Sequence, residues 1–300
     1  FTEQLDTFDV VIFQNFDFKP YFERDPNGLL GNIVRFVRDG GAFVMVGGDR
    51  SFDLGDYADT PIAGILPVRL GVGGTAISAP PFKPSLAEGG HQHPVTRIAG
   101  SLEDSALAWS RLPELDGMNR NKGLVEGAAA LLEHPSVTTG GEPMPVLSVR
   151  EVGEGRTMAL MTDASWRWSF SEAGTGRGNQ SYLRFWKGAL RWLVADPDDR
   201  RMVTQPSAEN VLLGESMRIK TVVRDAGFNP VVGARISGVV ASPDGNEVPI
   251  EGVTDEMGIA VSTVTPKVQG AHRVRQLPHG DRGQPHVQCA HTLAPDCGRG

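Results

Sequence analysis

Apolar positions along the chain fall into three successive patterns. The first is the short unbroken run: Val10-Val11-Ile12-Phe13, and again Ala42 to Val46. Runs this short and rich in β-branched residues predict strands buried on both faces of a parallel sheet. The second is a helical period. Leu29, Leu30, Ile33, Val34, Phe36 and Val37 recur at spacings of three and four and mark one apolar helix face. Asp25-Pro26-Asn27 offers that helix an N-cap followed by proline at the first helical position, and Gly40-Gly41 stops it. Strand, helix and strand at this spacing predict a right-handed βαβ unit. The third pattern, alternation with a period of two, begins only after residue 200. Met217, Ile219, Thr221 and Val223 alternate with Arg218, Lys220 and Arg224, and Ala234, Ile236, Gly238 and Val240 repeat the theme.

Between these regions the signal is less regular. Thr60 to Leu66 predicts a short helix ending at Pro67, and Val68 to Pro84 predicts extended segments around Gly71-Val72-Gly73-Gly74. A loop-rich stretch opens at His93-Pro94-Val95-Thr96, and Ala128 to Leu132 predicts a strand. Val146 to Arg150 and Thr157 to Met161 flank a glycine-bearing turn and predict an antiparallel hairpin. Ser181 to Val194 predicts a helix with Tyr182, Phe185, Trp186, Ala189, Leu190 and Leu193 on its buried face. Asp196 to Arg200 is a polar break. These features divide the chain into an α/β domain over 1–197 and a partial all-β sandwich of immunoglobulin-like type over 201–274. The remainder, 275–300, loses apolar periodicity and abounds in His, Arg, Pro, Gly and Gln. It is expected to be non-native or disordered.

Composition narrows the functional classes. A net charge of -7 over 300 residues, with no basic face carrying interleaved aromatics, argues against nucleic acid as a partner. No stretch approaches the ~20 apolar residues of a membrane span. The start at Phe1 reads as a truncation, so any targeting signals of the parent protein are expected to lie upstream. The two cysteines, Cys289 and Cys297, lie in the tail beside His279, His286 and His291, at a spacing that matches no common zinc site. No metal and no cofactor is expected.

The ordered series Val10 to Gln14, Val34 to Gly48, Gly55-Asp56-Tyr57 to Leu66-Pro67-Val68, Gly153 to Arg156, Thr162 to Trp168 and the Tyr182 to Leu193 helix resembles a family. It is similar to the glutamine amidotransferase-like domain of large bacterial membrane-anchored envelope proteins. The resemblance implies a flavodoxin-like open sheet of class I glutamine amidotransferase type, here N-terminally truncated. It also implies an extracytoplasmic location in the cell envelope, beside immunoglobulin-like modules. Active relatives carry a cysteine on a sharp strand-to-helix turn and a histidine after a later strand. Here the first position corresponds to Gly48-Asp49-Arg50 and the second to Asp163-Ala164-Ser165-Trp166. Neither the thiol nor its base is present, so glutaminase activity is not expected.

Other chemistry at these strand ends has named candidates. Asp49 and Asp163 suit an acid/base pair with Ser51 as nucleophile or hydrogen-bond donor; equally, Asp49 and Ser51 suit caps of the next turn and Asp163 a cap of a loop. Gly47, Gly48, Asp49 and Arg50 are candidates for ligand contact where open α/β sheets bind ligands. Trp166 and Trp168, two apart on a strand-like stretch, suit a sugar platform or packing under the final helix beside Trp186. His91 and His93 with Asp104 suit a surface loop better than a metal site. Gly71-Val72-Gly73-Gly74 lacks the Lys-Ser/Thr of a phosphate loop. The expectation is a non-catalytic binding or scaffolding module whose partners are other envelope-protein domains or a small ligand. The alternatives are a hydrolase of another class using Asp49 and Asp163, and a carbohydrate-binding module.

Overall fold

The structure, a computed structural model, describes residues 4–21, 25–73, 76–174, 179–196, 199–208, 210–276 and 291–293. Two compact units emerge: Phe1–Asp199 with Ala226–Phe228, and Arg200–Asp225 with Asn229–Gly300.

In the first unit, β1 (Val10–Gln14), α1 (Pro26–Arg38) and β2 (Ala42–Val46) form the βαβ unit, with β1 and β2 parallel. The Asp25 carboxylate accepts from the Gly28 N–H at 2.8 Å and caps α1, which then buries Leu30, Ile33 and Val37. The chain continues through a series of short 3-10 turns, then β3 (Ile77–Phe82), β4 (Ser85–Leu86), α2 (Leu102–Arg111) and β5 (Leu115–Asn119). It goes on as β6 (Ala128–Thr139), β7 (Glu142–Val152), β8 (Gly155–Leu160), α3 (Trp166–Gly174) and α4 (Gln180–Leu193). The main sheet has the order β1-β2-β8-β7-β6-β4, and β3 pairs with β5 in a separate ribbon. β1, β2 and β8 run parallel, while β8, β7, β6 and β4 pair antiparallel, β7 and β8 as the expected hairpin.

Register fixes where the helices lie. Neighbouring residues of a strand point to opposite faces. The Thr157 hydroxyl donates to the Ile65 carbonyl at 2.8 Å, on the face that carries the 3-10 turns packed with α1. The adjacent Arg156 guanidinium reaches the Trp192 carbonyl of α4. So α1 and α4 cover opposite faces, and the crossover from one face to the other falls between β2 and β8. Open α/β sheets bind ligands at the carboxyl ends of such a switch point.

Four expectations are corrected. β1 is not buried on both faces: among the described residues it is the edge of the sheet, and Ile12 is 46% exposed while Phe13 is buried. An edge strand and a central strand share the same apolar run, because the run reports only that one side packs. The stretch after His93 holds a helix, α2, capped by the Ser101 hydroxyl, which accepts from the Asp104 N–H at 3.0 Å. Trp166 and Trp168 lie on a helix, not a strand. In α4, Leu190 is 40% exposed, and Trp192 takes a buried place beside Phe185 and Ala189.

The second unit comprises β9 (Met202–Pro206), β10 (Met217–Val223), β11 (Arg235–Ala241), β12 (Glu247–Val253), β13 (Ile259–Val264), β14 (His272–Gln276) and β15 (His291–Leu293). They form two antiparallel sheets, β13-β10-β9 and β12-β11-β14-β15. Met217, Ile219 and Val264 of one sheet share a core with Val240, Ile250 and Val274 of the other, as a two-layer all-β unit requires. Within the tail expected to lack structure, Arg275 pairs with Val239 and His291–Leu293 pair with β14. Cys289, Cys297, His279 and His286 lie outside the described residues.

Candidate functional site

Three loops leave the carboxyl ends of β1, β2 and β8 on one rim of the sheet. The last β2–β8 pair is Val46 with Leu160, and the β2 loop begins at Gly47. A side chain at Gly47 would put its Cβ 2.7 Å from the Thr162 Cα and 2.8 Å from the Asn119 Oδ1. Nothing larger than hydrogen fits this close approach. Gly48 follows at a φ of 133°, a backbone state glycine reaches without Cβ strain.

The turn is fastened by two asparagine side chains. Asn119, at the end of β5, accepts from the Gly48 N–H through Oδ1 at 2.8 Å and donates to the Gly48 carbonyl through Nδ2 at 3.1 Å. Its own N–H donates to the Met161 carbonyl at 2.6 Å, tying the same residue to the end of β8. Asn15, in the left-handed region at a φ of 49°, accepts from the Arg50 N–H at 2.7 Å. Asparagine tolerates that conformation better than most residues. The sequence analysis missed both. No local pattern marks Asn119, whose partner lies 71 residues away.

The predicted candidates separate. Asp49 and Asp163 are both exposed, each three residues beyond the Val46–Leu160 pair on neighbouring strands, so both lie in loops at the same end of the sheet. Ser51 is not with them: it is buried at 1% exposure, and its hydroxyl has no partner among the described residues. It occupies the N-cap position of the next 3-10 turn without making a cap bond. The capping expected of Asp163 is performed by Thr162, whose hydroxyl accepts from the Ala164 N–H at 3.1 Å. Arg50 is ion-paired with Asp17, and Lys19 with Asp56. The Asp56 carboxylate holds the Lys19 ammonium above its ordinary pKa. Beneath this loop Tyr57 donates to the Phe16 carbonyl at 2.7 Å, and burial, with Asp17 second, pushes its phenol well above the usual value. Tyr57 therefore stays a protonated donor and is no base.

Trp166 and Trp168 do not form a platform. Residues two apart on a helix point about 200° around its axis from each other. Trp168 is fully buried, edge-on to Trp109 and Phe185 with centroids 5.1 and 5.5 Å away, so it packs beside Phe185 instead of Trp186. Trp166 is 51% exposed at the rim, edge-on to the exposed Phe170, and the Arg167 guanidinium lies 6.0 Å from its ring centre while pairing with Asp116. His93 is buried, accepts from the Val95 N–H at 3.1 Å and meets the Trp192 ring at 5.2 Å. Asp104 bonds to Ser101, and His91 is exposed. Among the described residues no group of three or more His, Cys, Asp or Glu side chains could hold a metal ion, and no helix is long and apolar enough to cross a membrane.

A central mixed sheet with three parallel strands, helices on both faces and a tight glycine turn after β2 fits an amidotransferase-like α/β domain. The chain belongs to the family described as putative glutamine amidotransferase, which matches residues 11–195. No curated protein matches. Among solved structures, it is similar to the cytoplasmic protein STM3548 of Salmonella typhimurium, at 21% identity and a TM-score of 0.48, over 64% of this chain and 76% of that one. It is likewise similar to the cytoplasmic protein STM1381 of Salmonella typhimurium LT2, at 17% identity and a TM-score of 0.46, with the same coverage. A cold-adapted β-galactosidase from Rahnella sp. R3 matches at 14% identity and a TM-score of 0.36, over 86% of this chain and 32% of that one.

Proposed function

We propose that this chain is a non-catalytic member of its family, an amidotransferase-like domain that serves as a binding or scaffolding module of a larger envelope protein. One observation carries the reading: the Asn119 carboxamide occupies both the N–H and the carbonyl of Gly48. An acyl-transfer site needs a nucleophile on that turn and free backbone N–H groups aimed at the developing oxyanion. Here the turn has no thiol, the Gly48 N–H is already satisfied, and the Arg50 N–H is satisfied by Asn15. The extracytoplasmic location, the immunoglobulin-like character of the second unit and partnership with other envelope domains or a small ligand rest on the family resemblance. No observation of the site favours a hydrolase: Ser51 is buried away from Asp49 and Asp163.

The test is ammonia release from glutamine by the purified chain and by Asn119→Ala, which frees the Gly48 N–H. No release from either protein is expected. Release by the wild type would end the non-catalytic reading.

A further inference from the structure

Asn119 fastens the Gly48 turn at the strand ends, but the rim around it is left chemically unfinished. Among the described residues that follow β1, β2 and β8, Lys19, Arg50 and Arg167 each have a carboxylate partner: Asp56, Asp17 and Asp116. Asp49 and Asp163 remain. Both are exposed at the ends of adjacent strands, and among the described residues neither carboxylate has an ion pair or a hydrogen bond. Next to Asp163, the first turns of α3 expose Trp166 at 51% and Phe170 at 69%, two aromatics that a monomeric surface gains nothing by leaving wet. That this aromatic edge accepts a cation is visible already, since Arg167 lies over Trp166.

Resting on the binding-module reading above, we propose that this rim docks a basic segment of a partner polypeptide, with Lys or Arg side chains meeting Asp49 and Asp163 and lying against Trp166 and Phe170. Charge complementarity selects the occupant. The two free carboxylates repel an acidic partner, and the chain's net charge of -7 draws a basic one. Aromatic faces beside carboxylates favour guanidinium or ammonium groups over neutral ones.

Fluorescence polarisation with a labelled hexa-arginine peptide, run on the full chain, tests the proposal. Asp49→Asn/Asp163→Asn is expected to weaken binding about five-fold, the scale of two exposed ion pairs. Trp166→Ala/Phe170→Ala should weaken it about three-fold. Asp9→Asn/Glu154→Gln removes the same charge at the opposite end of the sheet and should leave binding within about two-fold of wild type. All these side chains are exposed, so circular dichroism should show every variant folded. Equal loss in the Asp9/Glu154 control, no binding by the wild type, or binding of maltohexaose at the same rim in place of the peptide would overturn the proposal. Ammonia release, measured on the same preparations, bears on the non-catalytic reading alone, so the two ideas can fail separately.

Discussion

The loops that leave β2 and β8 start from paired residues on neighbouring parallel strands, yet they end in opposite states. The β2 loop turns its backbone inward and has it fastened, Gly48 by Asn119 and Arg50 by Asn15, while its serine is buried. The β8 loop satisfies itself locally through Thr162 and then presents Asp163, Trp166 and Phe170 to solvent. The β2 loop is thus held by distant side chains, whereas the β8 loop leaves its side chains in solvent. Backbone polar groups taken from water need partners, and at the β2 turn side-chain carboxamides supply them. What stays free is on the outside.

The sharpest way to break this contrast is across the two tryptophans of α3. Trp168→Ala empties a fully buried site and should cost about 3–5 kcal/mol. Trp166→Ala should stay within about 0.5 kcal/mol. Urea unfolding midpoints compare them directly, and similar losses from both would mean that the rim is packed, not open. Asn119→Ala comes next. It leaves the half-buried Gly48 N–H and carbonyl without their partner and should cost about 1–2 kcal/mol; a neutral result would show that the clamp does not hold the turn.

A third comparison extends to β6, where His134 is buried and stacked on Phe82 at 4.2 Å. Its Nδ1 accepts from the Ser136 and Val137 N–H groups at 3.1 and 2.9 Å, and burial lowers its pKa from the ordinary 6.5. The folded state therefore binds fewer protons than the unfolded state below pH 6.5. Its contribution is full above that pH and is lost as pH falls through the window down to the lowered value. Burial, with Glu142 second, raises the neighbouring Glu133, which acts in the opposite sense. The His134 part is thus the pH-dependent difference in stability between wild type and His134→Gln. No such difference between pH 7.5 and about 5.5 would show that the imidazole is not held neutral by the fold. Smallest of all, Arg50→Ala should change stability by about 1 kcal/mol or less, because its ion pair with Asp17 is largely exposed. A larger loss would mean that the guanidinium, and not Asn15, holds the loop.

Legibility followed the range of the interactions. α1 was readable because its cap, its apolar face and its stop are all contained between Asp25 and Gly41. The β7–β8 hairpin was readable from its turn. α2 was missed because its buried side is narrow, with Trp109 and Ser105 among the few residues it buries. Trp166 and Trp168 were placed on a strand because two residues are too short a sample to separate a period of two from one of 3.6. At the site, the missing thiol and histidine were plain in the sequence, as were Asp49 and Asp163. The asparagines that fasten the β2 turn were not, because their partners lie 71 and 35 residues away.

The sequence by itself determined the βαβ start, the change of period near residue 200 and the lack of any cysteine before Cys289, since each is a matter of which residues occur and how they are spaced locally. Only the tertiary structure decided that β1 lies at an edge, that Ser51 is buried while Asp49 is exposed, and that Asn119 closes the Gly48 turn. Those outcomes depend on which distant segments come to lie against each strand end. Spacing along a chain does not encode that, because the contacts are chosen by how the whole sheet and its helices pack.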